Sequence, residues 1–297
     1  MRCAPCIGCC RSSCRVAETT GIAWTTSSWS PWIGCTEVSP GCLNCYAREL
    51  DKRHRYGGAV HWGVGTPRYR TKDWTKPVSW NKKAAPLAAG ERWTVFPSLC
   101  DPFDNEVPAE WHADFWRLIR ATPYLTWLLL TKRIGNAAKI HPGGEYPNVW
   151  IGASVVNQEE ADRDIPKLLE VSAAKRFVSY EPALGPVDWR DWLRRSEPIL
   201  DHGAYAIPEN PRLQWVIVGG ESTQGAGKTR PFDLAWARST VAQCKAAGVP
   251  VFVKQLGSKP FETFAPGCDH FLNNLSDRAG ADPAEWPDDL RVQNWPE

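Results

Sequence analysis

Three cysteines, Cys35, Cys42 and Cys45, stand in the stretch Gly34-Cys35-Thr36-Glu37-Val38-Ser39-Pro40-Gly41-Cys42-Leu43-Asn44-Cys45-Tyr46 with the spacing C-x6-C-x2-C. A Ser-Pro-Gly turn between the first thiol and the pair lets the backbone fold back and gather the sulfurs. Three thiolates form a metal-ligand set that leaves one coordination position without a protein donor. In zinc chemistry that position takes water or substrate; in iron–sulfur chemistry it leaves one iron open to a small molecule. Two plainer readings stand beside this one: a structural zinc knuckle completed by His54 or His61, and unliganded thiols packed in a core.

The elements that must position such a loop follow from periodicity. Short β-rich runs occur at Ile22–Thr25, Trp93–Leu99, Thr126–Leu130, Val149–Ala153, Lys175–Ser179, Gln214–Val218 and Val249–Val253, several apolar enough to be buried on both faces. Helical spacing fills the gaps, opened by Pro108-Ala109-Glu110, by Asn157-Gln158-Glu159 and by Asp233-Leu234, the last ending near Gly248. Strands alternating with helices predict an α/β fold with a parallel sheet. Each run is followed at once by polar groups: Ser98, Cys100 and Asp101; Thr131, Lys132 and Arg133; Ser154; Tyr180 and Glu181; Glu221 and Ser222; Lys254 and Gln255. In a parallel barrel these positions converge on one rim, where active sites are built; in an open sheet, function would gather at one switch point. The repetition at consecutive strand ends favours the barrel.

The chain of 297 residues carries a formal charge of +2, so charge distribution says more about partners than the total does. No apolar run reaches membrane-spanning length, which predicts a protein without a membrane partner. Eleven cysteines are too unevenly spread for a secreted disulfide scaffold, and a reducing cytoplasm fits them better. Five of them fall before residue 15, in a leader with no apolar stretch of the secretory kind. Between Tyr46 and Lys83 lie ten cations against three acids, with Tyr46, Tyr56, Trp62, Tyr69, Trp74 and Trp80 interleaved. Cations for phosphates and flat rings for bases are the composition of a nucleic-acid surface, DNA or RNA, and Arg48, Arg53, Arg55, Arg68, Arg70 and Lys72 are its candidates. A solvated helix followed by a loop packed on its own tryptophans is the alternative. From Phe261 onward acids outnumber bases, which predicts an acidic appendage over 258–297.

The combination of Cys35, Cys42 and Cys45-Tyr46 with Leu129-Leu130-Thr131-Lys132-Arg133, Val149-Trp150-Ile151-Gly152-Ala153-Ser154, Val178-Ser179-Tyr180-Glu181-Pro182, Val216-Ile217-Val218-Gly219-Gly220-Glu221-Ser222 and Phe252-Val253-Lys254-Gln255 resembles the phage gene-product-37/68 family with its three-cysteine motif. That family looks like a divergent branch of the radical S-adenosylmethionine superfamily, and Cys42-Leu43-Asn44-Cys45-Tyr46 is similar to the cluster loop of spore photoproduct lyase. The usual superfamily spacing is C-x3-C-x2-C, so the first gap here is longer, and Asn44 replaces an aromatic residue. The resemblance covers Val16 to about Gly257. It implies a partial TIM-type (β/α)6-like parallel barrel over 16–257, with a basic aromatic insertion at 46–92 and a C-terminal extension. It also favours Val16 as the true start, with 1–15 a disordered leader upstream of it.

On the same resemblance, Cys35, Cys42 and Cys45 would hold a 4Fe-4S cluster whose fourth iron takes the methionine end of S-adenosylmethionine. One-electron cleavage would then give a 5′-deoxyadenosyl radical. Ser98 and Asp101 would meet the methionine amino group, Ser154 and Glu181 the ribose or carboxylate, and Lys132, Glu221 and Lys254 would face substrate as catalytic groups. A buried Lys–Glu pair that merely stabilises the barrel is the alternative for these last residues. A one-electron donor such as flavodoxin or ferredoxin and a separately encoded partner protein are further expectations. The function expected is modification or repair of a nucleic-acid base, which inside a duplex requires extrusion of that base; the alternative is a zinc-stabilised nucleic-acid-binding protein without radical chemistry.

Overall fold

A computed structural model describes residues 20–193, 213–224, 228–263, 268–273 and 275–297, so the leader expected over 1–15 lies outside the described residues. Its centre is a curled, half-barrel sheet of seven parallel strands. In chain order they are β1 (Ser27–Ser28), β2 (Trp93–Phe96), β3 (Leu125–Thr131), β4 (Val149–Val155), β5 (Lys175–Tyr180), β6 (Trp215–Gly219) and β7 (Val251–Gln255). Each pairs with the next, so the order in space is the order in sequence. Of the longer helices, α1 (Tyr46–His54) borders the concave mouth, while α2 (Lys76–Ala84), α3 (Ala109–Ala121), α4 (Gln158–Glu170) and α5 (Leu234–Ala247) pack on the convex side.

Alternation along the strands divides the sheet's two faces. Val95, Trp127, Leu129, Val149, Ile151, Val178, Val216, Val218, Val251 and Val253 face the helices and join the large core. Their neighbours Phe96, Leu128, Trp150, Phe177, Trp215, Ile217 and Phe252 form a separate cluster on the concave side, closed by Trp24. Gly152 makes room for this plug: a Cβ there would lie 2.5 Å from the Phe177 ring. The plug fills the base of the half-barrel and leaves its opposite mouth to polar residues.

Six of the seven predicted strands appear within a few residues of their expected bounds. The first does not. Ile22–Thr25 is not a strand; the pairing segment is Ser27–Ser28, in register with Val95 and Phe96. Trp24 is instead a plug, its ring centroid 4.5 Å from that of Phe96, and Thr94 Oγ1 accepts from Thr26 N at 2.8 Å to turn the chain. The helix starts came out as read. Asn157 Oδ1 accepts from Glu160 N at 3.0 Å, and Asp233 Oδ1 accepts from Ala235 N at 2.9 Å. Gly248 follows α5 at φ 65°, a left-handed residue that ends the helix without a Cβ penalty. Asn157→Ala is expected to cost about 1 kcal/mol in urea unfolding, the usual worth of an N-cap; no loss would mean that this cap is dispensable.

The acidic C-terminal stretch is packed against the barrel. Trp286 joins the main core at 2% exposure. Val253 N donates to Val292 O at 2.8 Å and Asn294 N to Val251 O at 3.0 Å, so the tail covers the edge of β7. Trp295 lies 4.7 Å from Trp215, centroid to centroid. Covering an open parallel edge removes a template for unwanted strand pairing. No helix among the described residues is long and apolar enough to cross a membrane.

Candidate functional site

The concave mouth holds one cavity of about 450 Å³. Its lining includes Cys35, Cys42 and Cys45 together with Ser98, Asp101, Lys132, Ser154, Glu181, Glu221 and Lys254. All three motif cysteines and all seven strand-end candidates therefore meet in one place. The cysteine loop leaves β1, crosses the mouth and ends at the start of α1, where Cys45 is the residue before the first helical turn.

The Cys35 side of the loop is fastened by charge. Arg133 Nη1 lies 3.1 Å from Cys35 Sγ and 3.1 Å from Asp101 Oδ2, and its Nη2 donates to Thr36 O. Asp101 is a hub: Oδ1 accepts from Thr131 Oγ1 at 2.6 Å and Phe103 N at 2.9 Å, while Oδ2 also accepts from Lys132 N at 3.1 Å. Beneath the loop, Arg68 and Asp104 have fully buried side chains 2.8 Å apart. Arg68 also donates to Thr36 Oγ1 at 2.8 Å and to the carbonyls of Gly63 and Thr66 at 3.1 and 2.8 Å. Gly34, at φ 118°, lets the chain pass: a Cβ would sit 2.3 Å from His61 O.

The remaining polar groups pair with one another around the mouth. Lys132 Nζ donates to Ser154 Oγ at 2.5 Å, and Ser154 Oγ to Glu181 O at 3.3 Å. Lys254 forms an ion pair with Glu181, which precedes a cis peptide bond to Pro182. Burial pushes the Cys35 thiol up to about 12, helped by Asp101 and opposed by Arg133. Burial also raises Cys45. Cys100, on the same cavity wall, is driven well above the ordinary thiol value by burial and by Asp101. Burial pushes the Glu221 carboxyl upward, but hydrogen bonds from Arg230 and Asn44 outweigh it and hold the group below the usual carboxylate range.

Several candidates have other work. Asp101 and Glu221 spend their oxygens on protein donors. Arg68 is buried, and Arg70 pairs with Asp114 at 2.5 Å with its guanidinium 4.5 Å from the Trp74 ring centre. Arg48 is tied to Glu37 and to Leu43 O. Arg53, Arg55 and Lys72 stay exposed, and Arg53 borders the cavity. Trp80 is a core residue. The ring nitrogens of His61, a candidate fourth ligand, lie 2.8 Å from Pro67 O and 2.7 Å from Tyr56 O, so backbone carbonyls face both of them. Among the described residues no group of three or more His, Cys, Asp or Glu side chains converges closely enough to hold a metal ion. Arg133, which position alone marks as a strand-end polar group, Asn44, which the sequence marks only as a departure in the cysteine loop, and Arg230, which the sequence reading missed, take their roles from contacts across the fold.

Residues 19–281 match one family along nearly the whole barrel and its cysteine loop. The chain belongs to the family described as protein of unknown function, DUF5131. No curated protein and no solved structure matches this DUF5131 chain.

Proposed function

We propose that this DUF5131 protein is a radical S-adenosylmethionine-type iron–sulfur enzyme that modifies or repairs a nucleic-acid base. The observation that carries the reading is that Cys35, Cys42 and Cys45 all line the cavity at the strand-end mouth of the half-barrel. On this reading the curled sheet is a partial TIM-type (β/α)6-like barrel. The donors suit a thiolate-held cluster by their chemistry: three soft sulfur ligands, on a loop that follows β1, lining one cavity floored by aromatic rings. The chemistry such a centre supplies when bound is one-electron reductive cleavage of the S-adenosylmethionine sulfonium.

The chain's own residues do the rest. The aromatic floor keeps water from the base of the site, where a reactive species would otherwise be quenched. Lys254 with Glu181 and Lys132 with Ser154 present hydrogen-bonding groups to the cavity, suited to holding the ribose hydroxyls and the carboxylate of S-adenosylmethionine. Arg53, at the rim, and the exposed Arg55 offer contacts for a phosphate backbone. Metal loading would displace protons from Cys35 and Cys45, whose thiols burial pushes up.

Anaerobically purified protein is expected to be brown and to bleach with reductant. Reconstituted protein given S-adenosylmethionine and reductant is expected to yield 5′-deoxyadenosine, and labelled DNA or RNA would then identify the target by isotope transfer. Colourless protein carrying stoichiometric zinc would replace this reading with that of a zinc-stabilised nucleic-acid binder.

A further inference from the structure

The second arm of the cysteine loop, Cys42 to Cys45, is fastened differently from the first. Asn44, between the two cysteines, donates from Nδ2 to Glu221 Oε2 at 2.9 Å and to Lys228 O at 3.1 Å. Arg230 Nη1 donates to Pro40 O at 2.8 Å, and the same guanidinium grips Glu221 through Nε at 3.1 Å and through Nη2. The backbone N of Arg230 adds a bond to Glu221 Oε2 at 2.9 Å. Glu221 is a firm anchor. It is 6% exposed, and Ser258 N donates to its carbonyl at 2.8 Å. Gly257 approaches so closely that a Cβ would lie 2.7 Å from that carbonyl oxygen.

We infer that Glu221, Arg230 and Asn44 form a clasp that positions the Cys42–Cys45 arm against the cavity wall formed by Glu221, Ser222 and Gln224. The two arms of the motif are thus held by separate devices, Arg133 and Arg68 for Cys35, and this clasp for Cys42 and Cys45. Glu221 becomes a positioning residue rather than a catalytic one. Because the clasp joins the loop to a wall of the cavity, whatever orders one orders the other, and occupation of the two is linked. The positioning claim stands on the protein alone; its extension to metal retention rests on the iron–sulfur reading above.

The test is alkylation of the metal-free protein by iodoacetamide, followed cysteine by cysteine with mass spectrometry. Arg230→Gln and Asn44→Ala are expected to speed labelling of Cys42 and Cys45 about tenfold, the scale of a lost hydrogen-bonded charge contact, while Cys35 keeps its rate. Arg230→Lys, which retains the charge but not the fork, should recover part of the protection. Labelling of Cys42 and Cys45 at the wild-type rate overturns the clasp, and so does a uniform rise at all three sites. Should Arg230→Gln fail to fold by circular dichroism, Asn44→Ala, which removes only a neutral amide, carries the test. Iron release to excess chelator from reconstituted protein is then compared, with release from the variants expected to be about 10–100-fold faster, the usual cost of losing an outer partner of a metal site. Wild-type protein that takes up no iron while the labelling contrast holds would sink the iron–sulfur reading and leave the clasp standing.

Discussion

Arg68→Ala is expected to lower unfolding stability by about 3–5 kcal/mol, the cost of leaving one member of a buried ion pair without its partner. Asp104 is the member left behind. Its side chain and that of Arg68 are both fully buried, at 2.8 Å, and the guanidinium also satisfies Thr36 Oγ1 and two carbonyls of the 63–66 turn. Removing the arginine leaves the buried Asp104 carboxylate without its guanidinium, while Thr36 Oγ1 and Gly63 O remain bonded to each other, so the loss falls chiefly on Asp104. Arg70→Ala is the internal control: its pair with Asp114 is partly solvated, at 35% and 24% side-chain exposure. Its ion pair and its cation–π contact with Trp74 together make about 1 kcal/mol the expected loss. Urea unfolding of both variants measures the contrast. The double variant Arg68→Met with Asp104→Asn removes both charges and should recover part of the loss. Equal, small losses for Arg68→Ala and Arg70→Ala would show that water reaches Asp104 and that the Cys35 arm is not pinned from below.

Much of the site is legible in the sequence because strand side chains alternate. Counting by twos from the aromatic plug, Phe96 leads to Ser98, Leu128 to Leu130 and Lys132, and Trp150 to Gly152 and Ser154. In the same way Phe177 leads to Ser179 and Glu181, Ile217 to Gly219 and Glu221, and Phe252 to Lys254. Residues with the parity of the plug therefore point into the mouth, and the cavity lining includes the polar ones among them. What the pattern cannot reveal is which of these groups are already spoken for. Glu221 faces the mouth, yet its carboxylate is consumed by Arg230, nine positions on, and by Asn44, far earlier in the chain. The basic segment misleads for a related reason. Composition counts Arg68 and Arg53 alike, but Arg68 is drawn inward by Asp104, 36 residues away in sequence, whereas Arg53 remains at the rim. Ile22–Thr25 has the apolar and β-branched content of a strand. Burial of Trp24 against Phe96, Phe177 and Trp215 satisfies that content equally well, and propensity does not separate the two uses.

Cys35→Ala, Cys42→Ala and Cys45→Ala, made one at a time, are each expected to abolish iron retention after reconstitution and to cut 5′-deoxyadenosine formation by more than about 100-fold. Losing a direct ligand should exceed the 10–100-fold that outer partners command. Cys244→Ala is the matched control. That thiol is buried, and burial pushes it up to about 12, but it sits in α5 within the apolar core, away from the cavity. It should keep its iron and activity and lose only packing, within the 2–5 kcal/mol range of larger core truncations and toward its lower end because a single sulfur is removed. Iron and sulfide content, visible absorption and melting temperature together separate the two kinds of cysteine. Lys254→Met adds a third kind: it removes the partner of Glu181 without touching a thiol, so iron content should hold while turnover falls. If all four cysteine variants behave alike, the three motif thiols are core residues that happen to border a cavity. A loss confined to Cys35, Cys42 and Cys45 would instead assign them as ligands, since Cys244 shares their thiol chemistry, is more buried than they are, and differs in position.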